Sequence, residues 1–171
     1  MITLGIDPGL SGGVAAIDGT GRILLLEPTP ILDGQVRVFD GRALGDMLRA
    51  RGLLRGDGAR CYAYIEHAQS MPGQGVASTF AYGTVFGSTI AAVRNLGVGY
   101  TLVRPAVWKR ALGLGRDKRE SIGLAAQHWP ELQLKRKDDG LAEALLIARW
   151  GWLKDAGAGA GAAQATPEVL G

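Results

Sequence analysis

Five acidic residues stand where acids can do chemistry. Asp7 closes an apolar run, Ile2–Ile6, and is followed by Pro8-Gly9. Glu66 closes a second β-rich run, CYAYI. Asp138, Asp139 and Glu143 open a helical stretch near the C-terminus. Asp139 and Glu143 are four apart and share one helix face, whereas Asp138 and Glu143 are five apart and diverge. The spacing favours Asp139 with Glu143 as an inward pair and leaves Asp138 as a helix cap or outer group. Each acid alone has an ordinary structural use: a turn for Asp7, a surface position for Glu66, helix-dipole caps for Asp138 and Asp139. As a set they point elsewhere, because clustered carboxylates repel one another and Mg²⁺ or Mn²⁺ relieves that repulsion.

Other metal chemistries are poorly supplied. The single cysteine, Cys61, excludes an internal disulfide and a cysteine zinc site, and two histidines make a His-rich site unworkable. His67 follows Glu66 directly, so strand alternation turns it to the opposite face. His128 adjoins Trp129-Pro130 at a helix end and reads as a surface residue, and Cys61 reads as core.

The cations are unevenly spread. Net charge is only +3. Between Arg104 and Lys137, however, nine basic residues (Arg104, Lys109, Arg110, Arg116, Lys118, Arg119, Lys135, Arg136, Lys137) face three acids (Asp117, Glu120, Glu131). A local basic block in an otherwise slightly acidic chain suits an anionic partner, though it also suits a solvated helix surface. Lys109, Arg110, Arg116, Lys118 and Arg119 surround the turn Gly113-Leu114-Gly115, and Lys135 to Lys137 lead into the acidic helix. These positions suit contacts to nucleic-acid phosphates, which position without reading sequence.

The elements that must position these groups follow from periodicity and turn signals. Ile2–Ile6, Gly13–Ile17 and Arg22–Glu27 read as three short strands joined by tight turns, an antiparallel meander. Residues 28–40 read as loop and Arg42–Leu54 as helix. Cys61–Ile65 and Gly99–Val103 read as further strands. Val76–Leu96 reads as a long helix rich in small residues, and its apolar positions run most of the way round, which predicts burial on more than one side. Helices follow over Pro105–Leu112, 117–129 and 138–152. The resulting order is that of an α/β domain.

At 171 residues with 47% hydrophobic and 20% charged side chains, the prior is one globular domain. That domain is expected to span residues 1–154. The Gly/Ala-rich segment 155–171 reads as a disordered tail. No stretch approaches about 18 uninterrupted apolar residues, and the N-terminus lacks the pattern of a secretory signal. The expectation is a soluble, cytoplasmic protein, in a bacterial or phage-infected cell, with no membrane partner.

Four segments, GIDPGLSGGVAAID, YIEHAQSMPGQGVASTFAYG, RPAVWKRALGLGRDKRES and KDDGLAEALLIARW, occur in this order and cover nearly all of the chain before the tail. Together they resemble the RuvC-like Holliday junction resolvases of the ribonuclease H-like superfold, especially the short phage and bacterial versions. The resemblance implies a five-stranded mixed sheet, three antiparallel strands and then two more, flanked by helices. It implies a crossover junction endodeoxyribonuclease, active in DNA recombination and repair, that cuts four-way junctions with paired nicks. Asp7, Glu66, Asp139 and Glu143 would be the catalytic acids, holding two Mg²⁺ ions for which Mn²⁺ would substitute, with a 5′-phosphate and a 3′-hydroxyl as products. The family pattern in the last helix has two ligands three apart, whereas here Asp139 lies four before Glu143. Met71 and Gln74, in the loop from Gln69 to Gly75, would sit beside the junction centre, where an apolar wedge can unstack a base step. An ordinary strand-to-helix connection reads equally well there.

Junction symmetry calls for a homodimer. The resemblance places its interface on the Val76–Leu96 helix, where Gly83 and Gly87 are spaced for close packing. Packing of that helix on its own sheet is the alternative, and Phe80, Tyr82 and Phe86 fit core or interface better than base stacking. Two other functions stay open: a nuclease acting on flaps and forks, and a non-catalytic nucleic-acid-binding module of the same fold. Sugar kinases and actin-like ATPases begin with a similar strand but need a second domain for which there is no room.

Overall fold

The computed structural model of the chain describes residues 1–55, 58–59, 61–67, 73, 75–115, 117–158 and 169–170, with backbone alone at 55, 58, 59, 118, 158, 169 and 170. Three strands open the fold: β1 (Ile2–Asp7), β2 (Gly13–Ile17) and β3 (Ile23–Pro28). A small hairpin, β4 (Ile31–Leu32) and β5 (Val38–Phe39), leads to helix α1 (Gly41–Ala50). A second small hairpin, β6 (Leu54–Arg55) and β7 (Gly58–Ala59), precedes β8 (Cys61–Glu66). Then come α2 (Val76–Asn95), β9 (Gly99–Val103), α3 (Pro105–Ala111), α4 (Lys118–His128), α5 (Asp139–Ala158) and β10 (Val169–Leu170).

The main sheet runs β10-β9-β8-β1-β2-β3. β1, β2 and β3 are antiparallel, while β8 pairs parallel with β1 and β9 pairs parallel with β8. These five strands are the mixed sheet expected from the sequence. β10 adds two residues alongside β9.

Strand alternation divides the interior into two layers. Leu4, Ile6, Val14, Ala16, Ala63 and Ile65 face α1 and α2 in one core, with Leu44, Leu48, Val85 and Val93. Ala15, Ile17 and Tyr64 face the other way, into a core with Trp108 of α3, Ala125 of α4 and Ala144, Leu145 and Ala148 of α5. α5 lies almost on the backbone of β1. A Cβ at Gly5 would overlap the Ala144 carbonyl and the Ala148 amide, and a Cβ at Gly140 would overlap the Ser11 carbonyl. Only hydrogen fits at these two crossings.

Several sequence expectations change. The segment 28–40 carries the β4–β5 hairpin, whose two-residue strands are too short for a periodic signal. The first helix stops at Ala50 and not at Leu54, because Gly52 adopts a left-handed conformation, φ +68°, and turns the chain. Leu54 therefore belongs to β6. α5 continues past residue 154 to Ala158, and the Asp155 carboxylate accepts a 2.5 Å hydrogen bond from the Tyr64 hydroxyl that ties this turn to the sheet. Of the expected tail, residues 159–168 and 171 lie outside the described residues.

α2 departs most from expectation. It buries one face, through Val85, Thr89, Ala92 and Val93, and not several. Val76 is 88% exposed and Phe80 68%. By length and composition α2 is also apolar enough to cross a membrane, which a search for an unbroken apolar run overlooks because its serines and threonines interrupt the run.

Candidate active site

The site is set by register. In the parallel β1–β8 ladder Ile6 is opposite Ile65, so the next residues, Asp7 and Glu66, emerge at the same end of adjacent strands. By alternation both follow Gly5 and Tyr64 onto the α5 side. β1 ends at Asp7 because Pro8 has no N–H to continue the ladder. The turn beyond is stitched by Gly9 N–H donating to Asp7 Oδ1 (3.1 Å) and Gly12 N–H donating to the Gly9 carbonyl (2.9 Å). The Thr29 hydroxyl donates to the Asp7 carbonyl at 3.0 Å. The turn packs on the first turn of α5 at Gly140, so Asp7 and the start of α5 share one backbone contact.

Glu66 is buried, and its Oε2 accepts a 2.8 Å hydrogen bond from the Trp108 indole N–H. Burial is the main reason its carboxyl is pushed up from 4.5 to about 8, with repulsion from Asp7 and then Glu143 adding to it. The Trp108 hydrogen bond and the Lys109 charge oppose the shift. Glu143 is also buried; its Oε1 accepts from Lys109 Nζ at 2.6 Å and from the Ser121 hydroxyl at 3.3 Å. Tyr82 of α2 lies near enough to the acids to feel their charge. Its phenol is pushed well above the usual range by burial first, and then by Glu66, Asp7 and Glu143 together.

Three of the four predicted acids, Asp7, Glu66 and Glu143, thus act on one another. Asp139 is half-buried in the first turn of α5, one turn before Glu143. Asp138, expected as a helix cap or outer group, precedes α5: its Oδ2 accepts from the Lys135 amide at 2.8 Å, on the loop side, and its carbonyl accepts from the Ala142 amide at 3.0 Å. Among the described residues no three acid, imidazole or thiolate groups close around a single point. The acids form an open constellation in which an indole engages Glu66 and an ammonium engages Glu143. The donor set, all carboxylate oxygen and mutually repelling, fits a hard divalent cation in type.

The predicted phosphate-binding residues separate into groups. Arg110, Lys135, Arg136 and Lys137 are exposed. Arg119 is exposed but forked onto the Asp117 carboxylate, at 2.6 Å from Nη2 and 2.9 Å from Nε. Lys109 differs from expectation, since it is directed into the carboxylate site and not outward. Met71, Gln74, Arg116 and the Lys118 side chain lie outside the described residues. His67 is directed to the other face, as alternation requires, with its ring 5.7 Å from that of Phe86. His128 is exposed and Cys61 is core.

Sequence reasoning missed Trp108, Ser121 and Tyr82 as site residues. Trp108 carried a usable signal: a buried indole needs an acceptor, and this one begins one turn after the strand neighbouring Glu66. Ser121 and Tyr82 carried none.

The state of Glu66 predicts a pH dependence. In metal-free protein the folded state holds a proton on Glu66 up to about pH 8, and the unfolded chain releases it near pH 4.5. Between these values the folded form binds more protons, so stability from this group falls as pH rises. Urea denaturation in EDTA at pH 5, 6.5 and 8 should show this decline. Glu66→Gln, which cannot ionise, should flatten it.

No protein-family model matches the chain, and no curated protein matches it. Solved structures do, among them two of RuvC. RuvC of T. thermophilus in complex with a Holliday junction substrate matches with a TM-score of 0.59 and 20% identity, over 92% of this chain and 97% of that one. A second structure of Thermus thermophilus RuvC matches with a TM-score of 0.54 and 23% identity, over the same shares. The likeness establishes that this chain shares the fold of these RuvC structures.

Proposed function

We propose that this chain is a structure-selective endodeoxyribonuclease that resolves four-way DNA junctions by metal-dependent phosphodiester hydrolysis. The observation that carries the reading is the register that brings Asp7 and Glu66 out at adjacent ends of β1 and β8 on the α5 side, near enough to Glu143 of α5 that both charges add to the burial that raises Glu66 to about 8. Carboxylates held this close repel one another, and a divalent cation would relieve that repulsion. Its occurrence in a fold shared with a junction-bound RuvC supports the junction as substrate.

Asp7, Glu66, Asp139 and Glu143 would hold Mg²⁺ or Mn²⁺, two ions per site. Bound there, the ions supply an activated water and neutralise charge on the phosphoryl group and leaving oxygen. The chain's own residues do the rest. Burial of Glu66 and Glu143 keeps bulk water from the acids. Lys109 holds Glu143 and adds positive charge where an anionic diester must approach. Exposed Arg110, Lys135, Arg136 and Lys137 grip the DNA backbone outside the site.

The test is cleavage of a synthetic four-way junction against a linear duplex of matched sequence, with Mg²⁺, Mn²⁺ or EDTA. Paired, metal-dependent nicks in the junction alone are expected. Equal cutting of flaps and forks would broaden the substrate, and junction binding without cutting under any metal would leave only a binding module.

Paired nicks require two sites, and α2 is the face on which a second copy would sit. Gly83 and Gly87 are exposed with open space beside them, so their spacing does not serve packing on the sheet. Phe80 on the same helix is largely exposed. Phe80→Glu would bury a charge at that contact. It should weaken self-association by about 2 kcal/mol or more, roughly 30-fold in dissociation constant. Sedimentation equilibrium of wild type and variant measures this; unchanged association would remove α2 from the interface.

A further inference from the structure

Four tryptophans occur in the chain, and two of the buried ones spend their N–H groups differently. Trp129 donates to the Gly21 carbonyl at 2.9 Å, an ordinary tie between a helix end and a turn. Trp108 donates to the Glu66 carboxylate at 2.8 Å. Its side chain is wholly buried, in the core with Val103, Ala125 and Leu145. α3 is fixed at its start by Pro105, directly after β9, so the ring's direction is set by the fold. The next residue, Lys109, reaches Glu143 from the same short helix.

We infer that Trp108 is a positioning residue: its indole N–H holds Glu66 Oε2 so that Oε1 alone is presented to the cation site. The inference rests on the metal-dependent reading proposed above. A carboxylate at the end of a strand can rotate about its last bond. A rigid, buried donor on one oxygen removes that freedom and fixes which oxygen remains to bind. Lys109, with a flexible stem, cannot impose a plane in this way. A tryptophan that merely filled the core would need no carboxylate partner, as Trp129 shows.

The experiment is Mn²⁺ binding by calorimetry to the full chain without DNA, for wild type, Trp108→Phe and Trp129→Phe, with a thermal melt of each. Both variants lose a buried indole N–H and are expected to melt lower. Only Trp108→Phe should bind Mn²⁺ more weakly, by about tenfold or more, the usual cost of removing an outer partner of a metal ligand. A Trp108→Phe protein that binds Mn²⁺ as wild type does overturns the inference and leaves the proposed function standing. Wild type that binds no Mn²⁺ overturns the proposed function itself. Should Trp108→Phe fail to fold, the indole N–H resonances of wild type decide. The Trp108 signal should shift on adding Mg²⁺ while that of Trp129 stays, and an unmoved Trp108 signal overturns the inference.

Discussion

Asp7→Asn is expected to abolish junction cleavage while leaving the fold and junction binding intact. Asparagine keeps the shape of the side chain, and its amide oxygen can still accept from the Gly9 amide that closes the turn. What disappears is a negative charge beside Glu66. In the empty site that charge is a burden, because it helps to raise the Glu66 carboxyl. The variant should therefore melt no lower than wild type in EDTA at pH 8. In a metal-loaded site the same charge would draw the cation in. Metal ions stabilise a phosphoryl transition state by several kcal/mol, and each ~1.4 kcal/mol is tenfold in rate. Single-turnover cleavage should fall by about 10³-fold or more. Binding of the junction, measured by gel shift in EDTA, should hold, because the phosphate contacts proposed for Arg110, Lys135, Arg136 and Lys137 would come from residues away from Asp7. Cleavage within about tenfold of wild type would remove Asp7 from the chemistry.

The acids were legible because each sits where a local rule speaks. Asp7 precedes a Pro-Gly turn that must end its strand, and Asp139 and Glu143 have helical spacing. Their convergence was not written locally. It depends on a parallel register that sets Ile6 against Ile65 across 58 intervening positions, and no periodicity encodes that. Lys109 illustrates the same limit. In sequence it is one cation in a basic run, and only the packing of α3 on α5 directs it at Glu143 and not at solvent. α2 failed for a different reason. Its apolar residues do encircle the helix, but whether such a surface is covered by the chain's own sheet or left open depends on tertiary contacts. The segment Asp155-Ala156-Gly157-Ala158 looks like tail by composition, yet one hydrogen bond from Tyr64 to Asp155 joins that turn to the sheet.

The second large effect falls on stability. Gly5→Ala should destabilise the fold by about 3 kcal/mol or more, above the ordinary cost of overpacking. The added methyl would meet the Ala144 carbonyl and the Ala148 amide and Cα, which are backbone atoms and cannot rotate aside. α5 must lift from β1, opening the core around Leu145 and Ala148. A natural domain holds only about 5–15 kcal/mol in total, so a single methyl takes a large share. Gly123→Ala is the matched control. It lies in α4, exposed, with nothing near the position of a Cβ, and alanine is the better helix former. It should raise stability by up to about 1 kcal/mol. Urea denaturation of the two variants at one pH separates crowding from any general effect of replacing glycine. Because α5 also carries Asp139 and Glu143, Gly5→Ala should lose cleavage at temperatures where it remains folded. Equal stability for the two variants would mean that α5 does not rest on β1 as closely as this architecture requires.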